Sequence, residues 1–230
     1  MTMPSTINTV KSMLSAARMG TYERVLDEAG NPISLAMALE LYAWNAQVSA
    51  AFLTPLHICE VVTRNAVAEV LEKQYGNRWP WSHGFEQSLP VSQRGYCLTA
   101  DLQSARRRGQ TTGKVIPELK FVFWQKMFTA RNDVRLWNPY LMQAFPNLPQ
   151  GQSVSQSRHL IYNDLEHIRI LRNRIAHHEP IFSRNLLDDF QKITDLIGIR
   201  CAVTAQWMSM NQQVLALIAA RPDLLAICQN

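Results

Sequence analysis

The chain has 230 residues, of which 47% are hydrophobic and 18% are charged. This composition supplies a sizeable core and argues against a disordered chain or a coiled coil. The formal net charge of +5 permits a polyanionic partner without requiring one. The four cysteines, at positions 59, 97, 201 and 228, show neither metal-ligand spacing nor a disulfide pattern, which indicates a reduced, cytoplasmic protein.

The N-terminal part of the chain is predicted to be helical. Turn residues delimit two short helices, about 5–17 and 21–28, with a break near Gly20. A long helical pattern then runs from Ile33 to Tyr75, and Pro55 is expected to kink or divide it. We therefore expect a helical extension over residues 1–32, packed as one compact unit with the rest of the chain.

The main domain, residues 33–230, is also predicted to be helical. After the long helix, helices are expected over about 92–107, from Pro117 onward, and over 158–178, 185–197 and 201–219. Polar loops are expected over 106–114 and 146–157. No segment alternates with a period of two residues, so the sequence predicts an all-α fold.

Two stretches without Asp, Glu, Lys or Arg, 41–59 and 201–220, are long enough to be considered as membrane spans. A span needs about 20 predominantly apolar residues. Both stretches instead carry polar residues at helical spacing, which favours amphipathic helices in the core or a subunit interface. The first eighteen residues have no apolar region typical of a signal peptide. We therefore expect neither a membrane partner nor export.

The residues most suggestive of chemistry lie near the end of the 158–178 helix, in the sequence Arg172-Asn173-Arg174-Ile175-Ala176-His177. Histidine changes charge near neutral pH and suits general acid–base catalysis, and arginine binds phosphate oxygens through two parallel hydrogen bonds. This pair fits metal-free cleavage of RNA through the 2′-hydroxyl, which leaves a 2′,3′-cyclic phosphate. The same residue types also occur as solvated or capping groups, and the residues alone leave both interpretations open.

The helical spacing of these residues limits what one helix can do. Asn173 and His177 are four residues apart and share a face. Arg172 and His177 are five residues apart, which separates them by about 140° around an ideal helix. A single helix therefore does not form an obvious active site, whereas two copies across a symmetric interface could.

The segment from Arg172 to His177 resembles the HEPN ribonuclease motif, in which a histidine follows an arginine and a polar residue. The wider sequence, over roughly residues 35–182, resembles the Abi-like proteins, the bacterial abortive-infection group of the HEPN superfamily. The likeness is carried by Leu41–Asn45, Glu60–Asn65, Tyr75–Trp79, Pro117–Trp124, Leu136–Trp137 and Arg172–Phe182.

This resemblance implies a HEPN-like helical bundle with additional flanking helices, which dimerises so that two motifs line one cleft. By this likeness Arg172 and His177 form the catalytic pair, and Asn173 orients the site or the RNA. The resemblance also implies a role in phage defence, in which RNA cleavage is controlled by a trigger or an inhibitor, either a protein or a small RNA. Some HEPN proteins only bind their partners.

Supporting residues are predicted around this motif. His178 is a neighbour that could assist, and Glu60 and Arg64 either form a helix ion pair or support the site near Arg172. Candidate contacts to the RNA backbone are Arg106, Arg107, Arg108, Lys114 and Arg174. The run from 106 to 114 could equally be a solvated loop. No metal and no cofactor are expected.

Three hypotheses follow, in decreasing order of preference. The first is a homodimeric, metal-independent endoribonuclease. The second is a non-catalytic module that binds RNA, a nucleotide or a protein through the same basic cleft. The third is a structural dimer within a larger defence complex. An intact arginine–polar–histidine set favours the first.

Overall fold

The computed structural model describes residues 4–27, 30–90 and 95–223. The all-α prediction is confirmed: within these residues there is no strand, and only an isolated bridge joins Leu26 to Pro32. The α-helices are α1 (Pro4–Leu14), α2 (Ala16–Glu23), α3 (Leu35–Tyr75), α4 (His83–Ser88), α5 (Leu98–Arg108), α6 (Thr112–Val115), α7 (Phe121–Met127), α8 (Asn138–Ala144), α9 (Val154–Ala176), α10 (Leu186–Arg200), α11 (Ala202–Met210) and α12 (Val214–Ala219). No helix of the described part is long and apolar enough to cross a membrane.

Helix α3 is the central element, and α2, α9 and α10 all pack against it. It runs for 41 residues without interruption through Pro55, so the expectation that this proline divides the helix is wrong. Proline removes one backbone hydrogen bond. The helix persists because Phe52 and Leu56, on either side, are buried in the core and hold both halves in place.

The N-terminal extension joins the same core. Its break lies at Ser15, whose φ is 73° and whose side chain caps α2, and Gly20 lies inside that helix. The predicted break at Gly20 is therefore wrong, because a serine cap competes well with a glycine for the start of a helix. Met19 and Tyr22 of α2 are almost fully buried and belong to the same hydrophobic core cluster as α3, α9 and α10.

Helix α5 and the basic run differ from the prediction. The helix begins at Leu98 rather than near Ser92, which lies outside the described residues. Arg106, Arg107 and Arg108 form its last turn instead of a loop. Basic residues there are stabilised by the partial negative charge of the helix C-terminus. Only a short connection remains before α6.

The C-terminal region is more divided than its sequence indicates. The helix predicted over 201–219 is two helices, α11 and α12, which are separated at Asn211 to Gln213. Asn211 ends α11 with its amide bonded to the carbonyl of Trp207, and Gln212 accepts from the Leu215 N–H. Local side-chain bonds of this kind compete with helical ones and end the helix. Helices α4 and α8 were not predicted.

A buried ion pair ties α9 to the π-helical turn Asp133–Trp137. Arg158 donates to both carboxylate oxygens of Asp133, at 2.9 and 3.3 Å, and is itself buried. Removing one partner of such a pair leaves an uncompensated charge, so Arg158→Met should lower the free energy of unfolding by about 3–5 kcal/mol. Urea denaturation measures this, with exposed Arg131→Met as the control. A loss below about 1 kcal/mol, the surface-pair value, would contradict it.

Candidate active site at the end of helix α9

Helix α9 presents the motif, and its sequence explains where it begins. Ser153 and Gln156 form a reciprocal capping box, so the helix begins at Val154, one turn earlier than predicted. The apolar side chains of Leu165, Ile168, Leu171 and Ile175 recur at helical spacing and are buried in the core. These residues fix the rotation of the helix about its axis, and thereby the directions in which the motif residues point.

The motif lies where α9 ends, in a Schellman turn. The N–H of Glu179 donates to the carbonyl of Arg174 at 2.7 Å, and that of His178 to the carbonyl of Ile175 at 3.0 Å. His177 is the capping residue, and His178 occupies the left-handed position with a φ of 55°. Glycine is usual at that position because other residues are strained there. His178 therefore carries a local backbone strain that a glycine would relieve.

This strain predicts a stabilising substitution. His178→Gly should raise the free energy of unfolding by about 1 kcal/mol, because glycine adopts a positive φ without a steric penalty. The matched control is His177→Gly, which places glycine at a φ of −95° and should destabilise the protein instead. Urea unfolding of both variants tests this, and a less stable His178→Gly protein would contradict it.

Three side chains hold the segment that follows the motif. The side-chain oxygen of Asn45, on α3, accepts hydrogen bonds from the backbone N–H groups of Ile181 and Phe182, at 2.8 and 3.1 Å. Arg174 donates twice to the carbonyl of Pro180, at 2.8 and 3.1 Å, and Arg18 donates to the carbonyl of His178. Arg174, predicted as an RNA contact, is thus engaged with the backbone of its own chain.

Arg172 lies in a cleft of about 450 Å³ between α3, α9 and the segment that leads into α7. We call this the Arg172 cleft; its lining residues are Glu60, Tyr96, residues 117–122, Arg169, Arg172 and Asn173. The structure thus brings together three of the predicted site residues, from helices more than a hundred positions apart in sequence.

The charges around this cleft leave Arg172 free. Arg169 is paired with Glu166 at 2.6 and 2.9 Å, and Gln125 donates to the same carboxylate. The hydrogen bond from Arg169, aided by that from Gln125, holds the pKa of Glu166 below its ordinary value. Arg172 is exposed and makes no hydrogen bond or ion pair within the described part of the chain. Its guanidinium is therefore available to an anion from outside.

His177 does not lie in this cleft. Its side chain is exposed on the outward face of α9, where Ile170 and Asn163 precede it at seven-residue intervals. Asn173 lies between the Arg172 cleft and His177, since it lines that cleft and is one helical turn before His177. Within a single chain, Arg172 and His177 are therefore near neighbours that face different directions.

Glu60 and Arg64 form no ion pair in the described structure. Glu60 lines the Arg172 cleft, whereas Arg64 is half-buried, does not line that cleft, and has a buried Nε without a hydrogen-bond partner. The ion-pair interpretation is therefore wrong, since the two side chains are not within ion-pair distance of each other. Glu60 contributes a carboxylate to the same cleft as Arg172.

The basic residues at the end of α5 are largely neutralised. Arg106 pairs with Glu86 at 2.7 Å and Arg108 with Glu118 at 2.8 Å. Arg107 and Lys114 are exposed and form no ion pair among the described residues. Of the four residues predicted here as RNA contacts, these two retain an available charge.

Sequence reasoning missed three side chains that line the cleft. Arg169 could have been found, since it precedes Arg172 by three residues and shares its face. Tyr96 and Lys120 could not, because they reach the cleft through packing between distant segments: the Tyr96 hydroxyl and the Lys120 N–H both donate to buried Asp101. The Lys120 ammonium also lies 5.9 Å from the centre of the Tyr96 ring.

No protein-family model, curated protein or solved structure matches this chain. Within residues 4–27, 30–90 and 95–223, no group of three or more His, Cys, Asp or Glu side chains is arranged to hold a metal ion. The functional argument therefore depends on the residues themselves and on their geometry.

Proposed function

We propose that this protein is a metal-independent endoribonuclease of the HEPN type, with Arg172 and His177 as its catalytic pair and Asn173 as a positioning residue. The observation that carries the proposal is the exposed, unpaired guanidinium of Arg172 in a cleft with Asn173, one turn from an exposed His177. An unpaired arginine is suited to a phosphate, and an accessible histidine to proton transfer.

The reaction uses the neighbouring 2′-hydroxyl of RNA as the nucleophile. His177 takes the 2′-OH proton, the 2′-oxygen attacks the adjacent phosphorus, and the bond from phosphorus to the 5′-oxygen breaks. A second His177, protonated and from the partner subunit, supplies a proton to the leaving 5′-oxygen. Arg172 stabilises the negative charge that accumulates on the phosphorane oxygens. The products are a 2′,3′-cyclic phosphate and a 5′-hydroxyl.

A homodimer would complete this site. Arg172 and His177 face different directions in one chain, and the outward face of α9 carries an exposed apolar residue, Ile170, at 41% exposure. Pairing two α9 helices through this face would cover Ile170 and bring two copies of the motif together. The arrangement would place His177 of one subunit opposite the Arg172 cleft of the other.

The biological role that fits this chemistry is abortive infection, in the sense of the Abi-like resemblance. Uncontrolled RNA cleavage is harmful to the host, so the activity would need a trigger or an inhibitor, a protein or a small RNA. The substrate would then be cellular or phage RNA in the cytoplasm.

The proposal is tested by incubating purified protein with total cellular RNA in excess EDTA. We expect cleavage that leaves cyclic-phosphate ends, and no cleavage of DNA, which lacks the 2′-hydroxyl. Cleavage that requires an added divalent ion, or that leaves 5′-phosphates, would contradict the mechanism.

A second candidate is a non-catalytic module that holds RNA, a nucleotide or a protein in the Arg172 cleft. The position of His177 outside that cleft within one chain favours it. This function predicts binding that weakens steeply with added salt and no cleavage under any condition.

A further inference from the structure

A second cleft, of about 370 Å³, lies where α2, α3 and the end of α9 meet. We call it the Tyr42 cleft. Its lining residues are Tyr22, Tyr42, Asn45, Ala46, Ser49, Ala50, Leu53, Ile175, Ala176, His178 and Glu179. The lining is mostly apolar with a few polar groups, which is the usual composition of a small-molecule site.

Two largely buried side chains in this lining carry a donor that has no partner. Tyr22 is 1% exposed and Asn45 is 6% exposed, yet the Tyr22 hydroxyl and the Asn45 amide nitrogen make no hydrogen bond within the described chain. Neither atom is among the fully buried side-chain atoms that lack a partner, so both donors stay open to the cleft. Burial raises the pKa of Tyr22 to about 12, so its hydroxyl stays protonated. Two free donors on largely buried side chains in one cleft suit a ligand that carries acceptors.

The side chains that line the Tyr42 cleft indicate which class of ligand would fit it. The rings of Tyr22 and Tyr42 lie 5.1 Å apart at 66°, and small side chains such as Ala46 leave room beside them. An aromatic wall with hydrogen-bond donors suits a planar heterocycle with acceptor atoms on its edge. No lysine or arginine of the described residues lines the cleft, which disfavours a phosphate inside it.

The Tyr42 cleft and the Arg172 cleft lie end to end along one seam. Helices α3 and α9 contribute residues to each cleft. In the Tyr42 cleft, residues 42–53 of α3 lie opposite residues 175–179. In the Arg172 cleft, Glu60, further along α3, lies opposite residues 169–173, which come earlier in α9. Ala176 of the first cleft is one helical turn from Arg172 of the second. A chain with a base in the first can therefore continue along the seam toward the guanidinium.

We infer that the Tyr42 cleft binds a single unstacked nucleobase, supplied either by an RNA strand or by a free nucleotide. The inference deepens the proposed function, because it makes this cleft the place where the base next to the bound phosphate is recognised. The base packs against Tyr42 and accepts hydrogen bonds from Tyr22 and Asn45.

A matched pair of variants tests this without any cleavage. Ala46 and Ala43 are both exposed on α3, but only Ala46 lines the cleft. The probes are the four ribonucleoside 5′-monophosphates and a mixed-sequence 2′-O-methyl oligonucleotide, which cannot be cut through its 2′-oxygen. Binding is followed through the tyrosine resonances and by calorimetry, for wild type, Ala46→Leu and Ala43→Leu.

We expect Ala46→Leu to weaken binding at least roughly tenfold, since a leucine fills the space of the base, while Ala43→Leu binds as wild type does. A loss seen with a monophosphate assigns the site to free nucleotides, and a loss seen only with the oligonucleotide assigns it to RNA. Equal binding by both variants, or no binding of any probe, overturns the inference. The proposed ribonuclease could still cleave RNA in that case, so the two failures are distinguishable.

Discussion

Replacing either Arg172 or His177 with alanine is expected to lower the rate of RNA cleavage by about 10² to 10⁴-fold, the usual contribution of a general acid–base group or of a charge-stabilising donor. Both side chains are exposed. Neither substitution should therefore change the free energy of unfolding by more than about 0.5 kcal/mol. Initial rates on a fluorogenic RNA, with thermal melts of the same preparations, measure both quantities.

Two control variants separate loss of the site from loss of any surface charge. His83→Ala removes an exposed histidine from α4, outside helix α9, and Arg131→Ala removes an exposed arginine just before the π-helical turn Asp133–Trp137. Both should cleave RNA as wild type does. Full activity in Arg172→Ala and His177→Ala would refute the assignment of these residues.

The second large effect is expected from a residue outside the motif. Ile170→Asp should prevent the proposed dimer from forming and abolish cleavage, because a symmetric interface through α9 would bury two like charges in an apolar contact. Leu187→Asp is the control: Leu187 is 56% exposed, on α10, and away from the outward face of α9. Light scattering at several protein concentrations gives the oligomeric state of each variant, and the fluorogenic assay gives the activity.

Mixing two inactive variants extends this test. If Arg172 of one subunit acts with His177 of the other, dimers of Arg172→Ala with His177→Ala contain one intact pair. They should cleave RNA faster than either variant alone but more slowly than wild type, because they lack the second His177 that protonates the leaving 5′-oxygen. Each variant alone should remain inactive. A monomeric wild type, or an Ile170→Asp protein that stays dimeric and active, is incompatible with this interface.

The sequence predicted the fold class well because the apolar positions of the long helices repeat with a helical period. It failed at boundaries that depend on competition between local bonds. Ser15 rather than Gly20 divides the first two helices, and Asn211 ends α11 through a side-chain bond. Pro55 was expected to interrupt α3, but packing on both sides outweighs the one missing hydrogen bond.

The site was predictable only where it is local. The spacing of Arg172, Asn173 and His177 within one helix can be read directly, and so can the arginine three residues before the motif. The cleft itself requires α3 to lie against α9, which no local pattern encodes. The Tyr42 cleft could not be predicted from the sequence either, since it depends on the hydrogen bonds by which Asn45 holds the segment after Pro180.

The central claim is that the 2′-hydroxyl of RNA is the nucleophile. It is tested most directly with two oligonucleotides that share the mapped cleavage sequence, one entirely ribose and one with a single 2′-deoxy nucleotide on the 5′ side of the scissile phosphate. We predict that the protein cleaves the first oligonucleotide in excess EDTA and leaves the second intact at that position. Cleavage of the deoxy-substituted oligonucleotide at the same phosphate would contradict the account.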